Sequence, residues 1–187
     1  MTIKSLLKGL DRLTFAPLIA KYACTTELER KIARSCRSVL DVGCGTNSPL
    51  GRFVQRVEYS VGVNAFGPAL IQSRNARIHD DYRLMDVRDL EDAFQEKSFD
   101  CVLASDVMEH LTKEDGLKLV DAMERIARKK VVIFTPKGFL PQDAYSGNPM
   151  QRHLSGWTVF RLGGDMHEIE AVTGSNDTCH WSSTTSY

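Results

Sequence analysis

The sequence has no excess of charge of either sign, because 24 basic residues balance 24 acidic ones among its 187 residues. A nucleic-acid-binding surface needs clustered positive charge, so none is expected here. The N-terminal segment also lacks a long apolar run, since Lys4, Lys8, Asp11 and Arg12 interrupt it. We therefore expect neither a signal peptide nor a membrane span at this end.

The sequence also lacks paired cysteines. Its five cysteines are odd in number and include no Cys-x-x-Cys pair. Disulfide frameworks and structural zinc sites use paired, regularly spaced cysteines. Their absence predicts reduced thiols and a cytoplasmic location. The 42% hydrophobic and 26% charged fractions are ordinary for a folded globular domain.

The segment 38–47 reads as a buried strand that runs directly into a glycine-rich turn. Its apolar residues favour a strand, and Asp41 stands near the carboxyl end of that strand. Gly43 and Gly45 let the backbone turn sharply and approach a ligand that a Cβ atom would exclude. Ligands of open α/β sheets bind outside the carboxyl ends of the strands, so the segment predicts a cofactor platform.

The missing third glycine argues against a dinucleotide cofactor. A G-x-G-x-x-G fingerprint starting at Gly43 would need glycine at position 48, where the sequence has Ser48. The acidic residue expected at the end of the next strand is also missing, because Asn64 stands there. A nicotinamide-dependent oxidoreductase is therefore the least favoured of the readings that we keep.

The spacing of Asp41, Gly43 and Gly45 resembles the first motif of the class I, Rossmann-like S-adenosylmethionine (SAM) dependent methyltransferases. Asn47 occupies the position of that family's third glycine, and asparagine tolerates left-handed backbone better than most residues. Three further segments, 61–65, 84–90 and 99–111, follow in the family's order. The segments 135–139 and 147–157 resemble the small bacterial type-11 methyltransferases.

The resemblance implies SAM as the cofactor and assigns contacts to it. Asn64 takes the position that holds the ribose, Asp86 the position that binds the adenine amino group, and Val87 the position that packs on the ring. The expected cofactor-binding residues are Asp41, Gly43, Cys44, Gly45, Asn47, Asn64, Ala65, Asp86, Val87, Ser105 and Asp106.

Candidate catalytic groups follow the expected fourth strand, where the sequence has Asp106, Glu109 and His110. His110 suits a general base because the imidazole pKa lies close to neutral; packing or loop ordering is its alternative role. The series also resembles the Glu-x-x-Glu-His metal set of certain small-RNA and quinone O-methyltransferases, which could hold Mg²⁺. Metal-free relatives share Glu-His here, so we expect no metal.

A second group of candidates comprises Arg152, His153 and Trp157. Arginine could hold an anionic group, His153 could share the role of base, and the indole could stack on a ring or sugar. The alternative is a structural loop with Trp157 in the core.

The pattern predicts an α/β fold, a doubly wound and mostly parallel sheet with helices on both faces and incomplete C-terminal strands. We expect an N-terminal helical cover (1–36), whose alternatives are a lid over the substrate or an amphipathic membrane contact. A SAM-binding core (37–136) and a substrate-side loop with a partial C-terminal element (137–174) follow. In the latter, 168–172 is a candidate strand, and residues 175–187 form an expected disordered tail, which either truncation or divergence would explain.

These expectations combine into methyl transfer from SAM to a small-molecule or glycan-like acceptor, at oxygen. The alternative is a SAM-binding scaffold without turnover, which Asn47, Asn64 and the divergent C-terminal segment favour.

Overall fold

The computed structural model of the chain describes residues 25, 26, 28–144 and 147–157, and the backbone of residues 168–175 and 178–184. Strands and helices alternate along the first part of the chain. In order they are the helical residues 28–33 (α1), β1 (Ser38–Val42), β2 (Tyr59–Asn64), α2 (Gly67–Asn75), β3 (Asp81–Leu84), α3 (Leu90–Ala93), β4 (Phe99–Ser105), α4 (Lys113–Ile126) and β5 (Ala127–Pro136). β6 (Glu168–Ser175) and β7 (Thr178–Thr184) follow.

The strands form one sheet in the order β3-β2-β1-β4-β5-β6-β7. The pairings from β3 to β6 are parallel, and β7 pairs antiparallel with β6. This is the predicted doubly wound, mostly parallel sheet, so the predicted fold class is confirmed. Because β1 lies between β2 and β4, the winding reverses there and a crevice opens at the carboxyl ends of these strands.

Alternation along the central strands builds a hydrophobic core on each face of the sheet. Leu40 and Val42 of β1 pack on the side of α3 and α4, whereas Val39 between them packs with α1. In α1, Leu28 and Ile32 are buried against that second face. This part of the predicted N-terminal cover packs on the sheet, whereas residues 1–24 of the cover lie outside the described residues.

α4 begins as its sequence predicts, because the Thr112 side chain accepts a hydrogen bond from the Asp115 N–H. Its last turn contains Arg125, and the helix ends at Ile126. The backbone turns extended at Ala127, so Arg128 and Lys129 belong to β5. Among the described residues, no helix is both long enough and apolar enough to cross a membrane.

The C-terminal strands differ from the sequence-based expectation at one point. The candidate strand at 168–172 falls within β6, but residues 178–184, expected to be disordered, form β7. The antiparallel ladder runs from Ile169 paired with Thr184 to Ser175 paired with Thr178. Backbone hydrogen bonds to a neighbouring strand allow a segment without a core-forming pattern to become an edge strand.

A buried carboxylate ties the amino ends of three strands together. Asp100 accepts hydrogen bonds from the Arg37 N–H, from Arg128 Nε and from Lys129 Nζ, each at 2.9 Å. Burial by itself would raise the pKa of Asp100, but the Arg37 hydrogen bond and the two cationic side chains outweigh it and lower the pKa to about 2.

We predict that Asp100→Asn lowers the free energy of unfolding at pH 7 by about 1–3 kcal/mol, the scale for hydrogen bonds to a charged group. The pKa of Asp100 is depressed in the folded state, so the wild-type advantage is present above the unfolded pKa of about 4. It is lost as the pH falls toward about 2. Thermal unfolding across this range measures the difference.

Glu114→Gln is the matched control, because the ion pair of Glu114 with Lys118 is exposed and contributes little. Equal melting temperatures for wild type and Asp100→Asn at pH 7 would contradict the role of this cluster.

Candidate functional site

A cavity of about 500 Å³ opens at the carboxyl ends of the central strands. The turn after β1, the end of β2, the turn after β3 and the loop after β4 form most of its wall. Residues 147–157, which we call the strap, contribute another side. The lining residues from these parts include Gly43, Asn64, Ala65, Asp86, Val87, Arg88, Asp106, Val107, His110, Thr112, Asp115, Asn148, Met150, Gln151, Arg152 and Leu154.

The glycine turn reaches the cavity in a conformation that favours glycine. Gly43 has φ +70° and Gly45 has φ +57°. A Cβ atom at Gly43 would collide with the Val107 side chain, whereas one at Gly45 would make only an ordinary contact of 3.9 Å with the Gly43 carbonyl oxygen. Gly43 is therefore required both by its backbone angle and by the close approach of the loop after β4.

Asn47 does not adopt the left-handed backbone conformation that its position in the motif predicts. Among the described residues, positive φ values outside glycine occur at Arg77, Lys97 and Asp106. Asn47 is exposed and has no left-handed backbone, so the turn does not depend on the tolerance of asparagine for that region.

Asp41 is buried below the turn instead of lining the cavity. Its Oδ2 accepts a hydrogen bond from His79 Nε2 at 2.8 Å and another from the Ser48 hydroxyl. The Cys44 thiol is also buried, which together with the charge of Asp41 raises its pKa. Both side chains support the turn from within the protein.

The structure thus separates the expected cofactor contacts into two sets. Six of them line the cavity together, namely Gly43, Asn64, Ala65, Asp86, Val87 and Asp106. The other five stand outside its lining, namely Asp41, Cys44, Gly45, Asn47 and Ser105. Their direct contact with a cofactor stays a prediction.

Two polar side chains at the β2 and β3 ends are already partly engaged. Asn64 Oδ1 accepts a hydrogen bond from the Phe66 N–H at 2.8 Å, which leaves its amide NH₂ group to act as a donor. Asp86 binds Arg88 through Nε at 3.0 Å and Nη2 at 2.6 Å. The hydrogen bonds from Arg88 lower the pKa of Asp86, so its carboxylate stays ionised near neutral pH.

The loop after β4 starts with a left-handed residue. Asp106 has φ +55°, and its N–H donates to the Phe134 carbonyl oxygen at 2.9 Å. Aspartate adopts this region more readily than most residues, although at a cost in backbone energy. This bend turns the chain sharply out of the sheet and brings the following residues over the cavity.

Glu109 anchors this loop. It is 3% exposed, and its Oε2 accepts a hydrogen bond from the Thr135 hydroxyl at 3.0 Å. Burial raises the pKa of Glu109. Its carbonyl oxygen accepts from the N–H groups of Leu154 and Ser155. The Glu109 carboxylate is therefore turned toward Thr135, and its role is to hold the loop in place.

The strap, not a carboxylate, orients His110. Its Nδ1 lies 3.2 Å from the Arg152 carbonyl oxygen, which can only accept, so in the neutral ring Nδ1 carries the proton. The lone pair is then on Nε2. Burial lowers the pKa of His110, with a smaller contribution from His153, which keeps the ring neutral and able to accept a proton.

His153 sits beside His110 but outside the lining of the cavity. The ring centroids are 4.8 Å apart in an edge-to-face arrangement. His153 Nδ1 lies 2.6 Å from the Leu140 carbonyl oxygen, which leaves its own lone pair on Nε2. Glu109, His110 and His153 each place one potential metal-ligand atom within 4.8 Å of the others. Asp106, part of the metal set that the sequence resembles, is not in this group.

Trp157 takes the structural one of its two expected roles. It is 2% exposed and donates from Nε1 to the Met108 carbonyl oxygen at 2.8 Å. Lys113 Nζ lies 3.8 Å from the ring centroid, and a Cβ atom at Gly116 would collide with the indole. Arg152, by contrast, lines the cavity with an exposed side chain.

Three contacts that hold side chains of the site in place are not predicted by the sequence. His79 lies 38 residues from Asp41 along the chain, Thr135 lies 26 from Glu109, and the Arg152 carbonyl lies 42 from His110. Thr135 begins the segment 135–139 that resembles the type-11 methyltransferases, but the resemblance gave it no role at the site. His79 and a backbone carbonyl belong to no motif.

The comparisons with known proteins agree with this architecture. The family model described as "Methyltransferase domain" matches residues 40–135, just over half of the chain. No curated protein is similar enough to this chain to count as a match.

Among solved structures, a SAM-dependent methyltransferase from Archaeoglobus fulgidus is 25% identical with a TM-score of 0.52, covering 62% of this chain and 53% of that one. The sugar N-methyltransferase KedS8 from Streptoalloteichus is 20% identical with a TM-score of 0.52, covering 75% and 57%. SAM-bound CalS10, an amino pentose methyltransferase from Micromonospora echinaspora, is 19% identical with a TM-score of 0.50, covering 69% and 53%. The last two show likeness of fold, and this chain spans about half the length of the structures that it matches.

We predict that Gly43→Val weakens SAM binding by about a hundredfold or more, which corresponds to about 2.7 kcal/mol. The new side chain is strained at positive φ and displaces Val107 at the cavity wall. Calorimetric titration of SAM measures the effect, and circular dichroism checks that the fold persists.

Gly45→Ala separates the effect of backbone strain from that of a steric collision, because Gly45 has positive φ but a Cβ atom there would collide with nothing. We expect a smaller loss there. Affinity equal to that of wild type in Gly43→Val would exclude this turn as the cofactor platform.

Proposed function

Because the chain belongs to the methyltransferase domain family, within the class I SAM-dependent enzymes, we propose that it transfers a methyl group from SAM to a small-molecule or glycan-like acceptor, at oxygen. The observation that carries this proposal is a single cavity shared by the glycine turn, the β2 and β3 ends and His110. One cavity can therefore hold a cofactor beside a group that accepts a proton.

The residues present fit SAM. The backbone at Gly43 approaches the cavity where a Cβ atom would not fit. The free amide NH₂ of Asn64 can donate to a ribose hydroxyl, and the ionised Asp86 can accept from an amino group. Ala65 and Val87 add apolar wall on which a ring can pack. We propose these residues as the cofactor contacts.

When bound, SAM supplies an activated methyl group on a sulfonium. The chain then needs to align donor and acceptor and to exclude water, which are effects of proximity and orientation. The strap supports both tasks, because Leu154 and Ser155 hydrogen-bond to Glu109 and Trp157 fixes the end of the strap on Met108. In this proposal the strap closes the acceptor side of the cavity.

We assign His110 as the general base. Its Nε2 carries the lone pair, its ring lines the cavity and its lowered pKa keeps it neutral at physiological pH. It would take the proton of an acceptor hydroxyl as the oxygen is methylated. His153 is the second candidate, since the hydrogen bond of its Nδ1 leaves the lone pair of the neutral ring on Nε2 and its ring touches that of His110.

The acceptor side of the wall suits a ring with hydroxyl groups and an apolar face. Asn148, Gln151 and Arg152 supply polar groups, while Met150 and Leu154 supply apolar surface. The printed names of two structural neighbours concern sugar methylation, and this likeness of fold supports a glycan-like acceptor as a proposal.

Binding of SAM without turnover is the second candidate. Asn64 favours it, because an amide gives no charge assistance to a ribose contact and its oxygen is already bonded to Phe66. For the location, Cys36, Cys44 and Cys101 form no disulfide bond among the described residues, which supports the predicted cytoplasm.

We predict that His110→Ala lowers kcat by about 10²–10⁴-fold, the usual contribution of a general base, and leaves the Kd for SAM nearly unchanged. The wild-type rate should rise with pH through a pKa below the ordinary histidine value, since the base must be deprotonated and burial lowers its pKa. Steady-state kinetics with a panel of sugar and phenol acceptors measures both.

His153→Ala is the matched control and should retain most of the rate. Equal losses of rate and SAM affinity in His110→Ala would make His110 a structural support. A rate that falls on chelation would instead place a metal at Glu109, His110 and His153. Tight SAM binding without turnover on any acceptor would favour the second candidate.

We predict that Asp86→Ala weakens SAM binding by about 1–3 kcal/mol, because a charged acceptor is lost and Arg88 is left without its partner. Asn64→Asp should keep or improve the affinity by adding charge assistance. Calorimetry on both variants measures this, and loss of binding in Asn64→Asp would show that residue 64 does not hold the ribose.

A further inference from the structure

A buried polar cluster lies under the glycine turn, outside the cavity lining. It consists of Asp41, Ser48 and His79. The His79 side chain is 0% exposed and that of Asp41 is 2% exposed. A carboxylate removed from water this completely needs hydrogen-bond donors, and Ser48 and His79 both donate to its Oδ2.

The cluster brackets the turn. Asp41 precedes Gly43 by two residues, and Ser48 follows Gly45 by three. The Ser48 hydroxyl also accepts a hydrogen bond from the Leu50 N–H at 3.1 Å, which starts the 3₁₀ turn Pro49–Arg52. The two ends of the glycine turn are therefore fixed to each other through one carboxylate oxygen, and His79 holds that oxygen from a third segment.

His79 is itself held in a fixed orientation. Its backbone N–H donates to the Tyr82 hydroxyl at 2.9 Å, and the two rings pack edge-to-face with their centroids 5.3 Å apart. The Tyr82 hydroxyl donates in turn to the Ser73 carbonyl oxygen. Gly62 makes the room, since a Cβ atom there would lie 2.8 Å from His79 Nδ1.

The second ring nitrogen of His79 indicates that this residue has a role besides packing. His79 Nδ1 is buried and has no hydrogen-bond partner among the described residues. A buried polar atom without a partner costs stability, and an apolar side chain of similar size would avoid that cost. The hydrogen bond from His79 Nε2 to Asp41 is the interaction that an apolar side chain could not make.

We propose that His79 is a positioning residue for SAM, which fixes the glycine turn in its binding geometry through Asp41 and Ser48. The acidic residue of the turn motif then acts on the cofactor indirectly, by holding the backbone. This inference rests on the proposed function in one respect, that SAM is the ligand of the turn.

The experiment is a calorimetric titration of SAM into wild type, His79→Leu and His79→Gln. Leucine keeps apolar volume but cannot donate, so the Kd should rise about tenfold or more, the scale of one charge-assisted hydrogen bond. Glutamine can donate from Nε2 at similar reach and should recover most of the affinity. At saturating SAM, kcat should change far less than the KM for SAM.

Ser48→Ala tests the same cluster from its other side and keeps the test decisive if His79→Leu fails to fold. It should weaken SAM binding in the same direction. Ser60→Ala is its matched control, because Ser60 is buried and its hydroxyl also donates to a carboxylate, that of Asp80 at 2.8 Å, but its side chain makes no hydrogen bond to Asp41, Ser48 or His79. It should lower the melting temperature without changing the Kd.

Three results would overturn the inference. Wild-type affinity in a folded His79→Leu, or equal effects of Ser48→Ala and Ser60→Ala on the Kd, would overturn it while leaving the proposed function intact. No binding of SAM by wild type would overturn the proposed function and this inference together.

Discussion

At the carboxyl ends of β1 and β4 the backbone of Gly43 lies against the side chain of Val107 with no room for a Cβ atom between them. This contact sets the distance between the glycine turn and the loop after β4. Both segments line the cavity, and His110 follows Val107 by three residues. The relative position of the proposed cofactor and base sites therefore depends on this one close approach. A sheet whose winding reverses at β1 is what brings the two segments together.

The buried carboxylates of the site hold loops in place, whereas the exposed ones face the cavity. Asp41 fixes the glycine turn and Glu109 fixes the loop after β4, each by accepting hydrogen bonds inside the protein. Asp86 and Asp106 line the cavity instead. A buried carboxyl group is tolerated where hydrogen bonds satisfy it, and such a group is rigid because moving it would leave buried polar atoms without partners. A preorganised site needs this arrangement, in which buried groups hold the loops rigid and polar groups on those loops and strand ends face the cavity.

A backbone carbonyl of the strap sets the tautomer of the neutral His110 ring. In the neutral ring the Arg152 carbonyl keeps the proton on Nδ1, so the docked strap favours the tautomer of the proposed base. Docking in turn depends on Trp157, whose indole fills the space left by Gly116 and donates to the Met108 carbonyl.

Local patterns determined the central strands, the glycine turn and the α/β class of the fold, because apolar runs, glycine spacing and alternation of elements are properties of neighbouring residues. The family resemblance assigned Asn64 and Asp86 to the cofactor, and Gly43, Asn64, Asp86 and His110 all line the cavity, at or shortly after the ends of strands.

Hydrogen-bond partners were decided by the tertiary structure alone. Asp41 turned inward to His79, Glu109 turned to Thr135, and His110 found a strap carbonyl 42 residues away. The extended backbone at Ala127 and the ladder that makes β7 a strand belong to the same class. A side chain's partner depends on which segments meet in space, and no spacing along the chain encodes that.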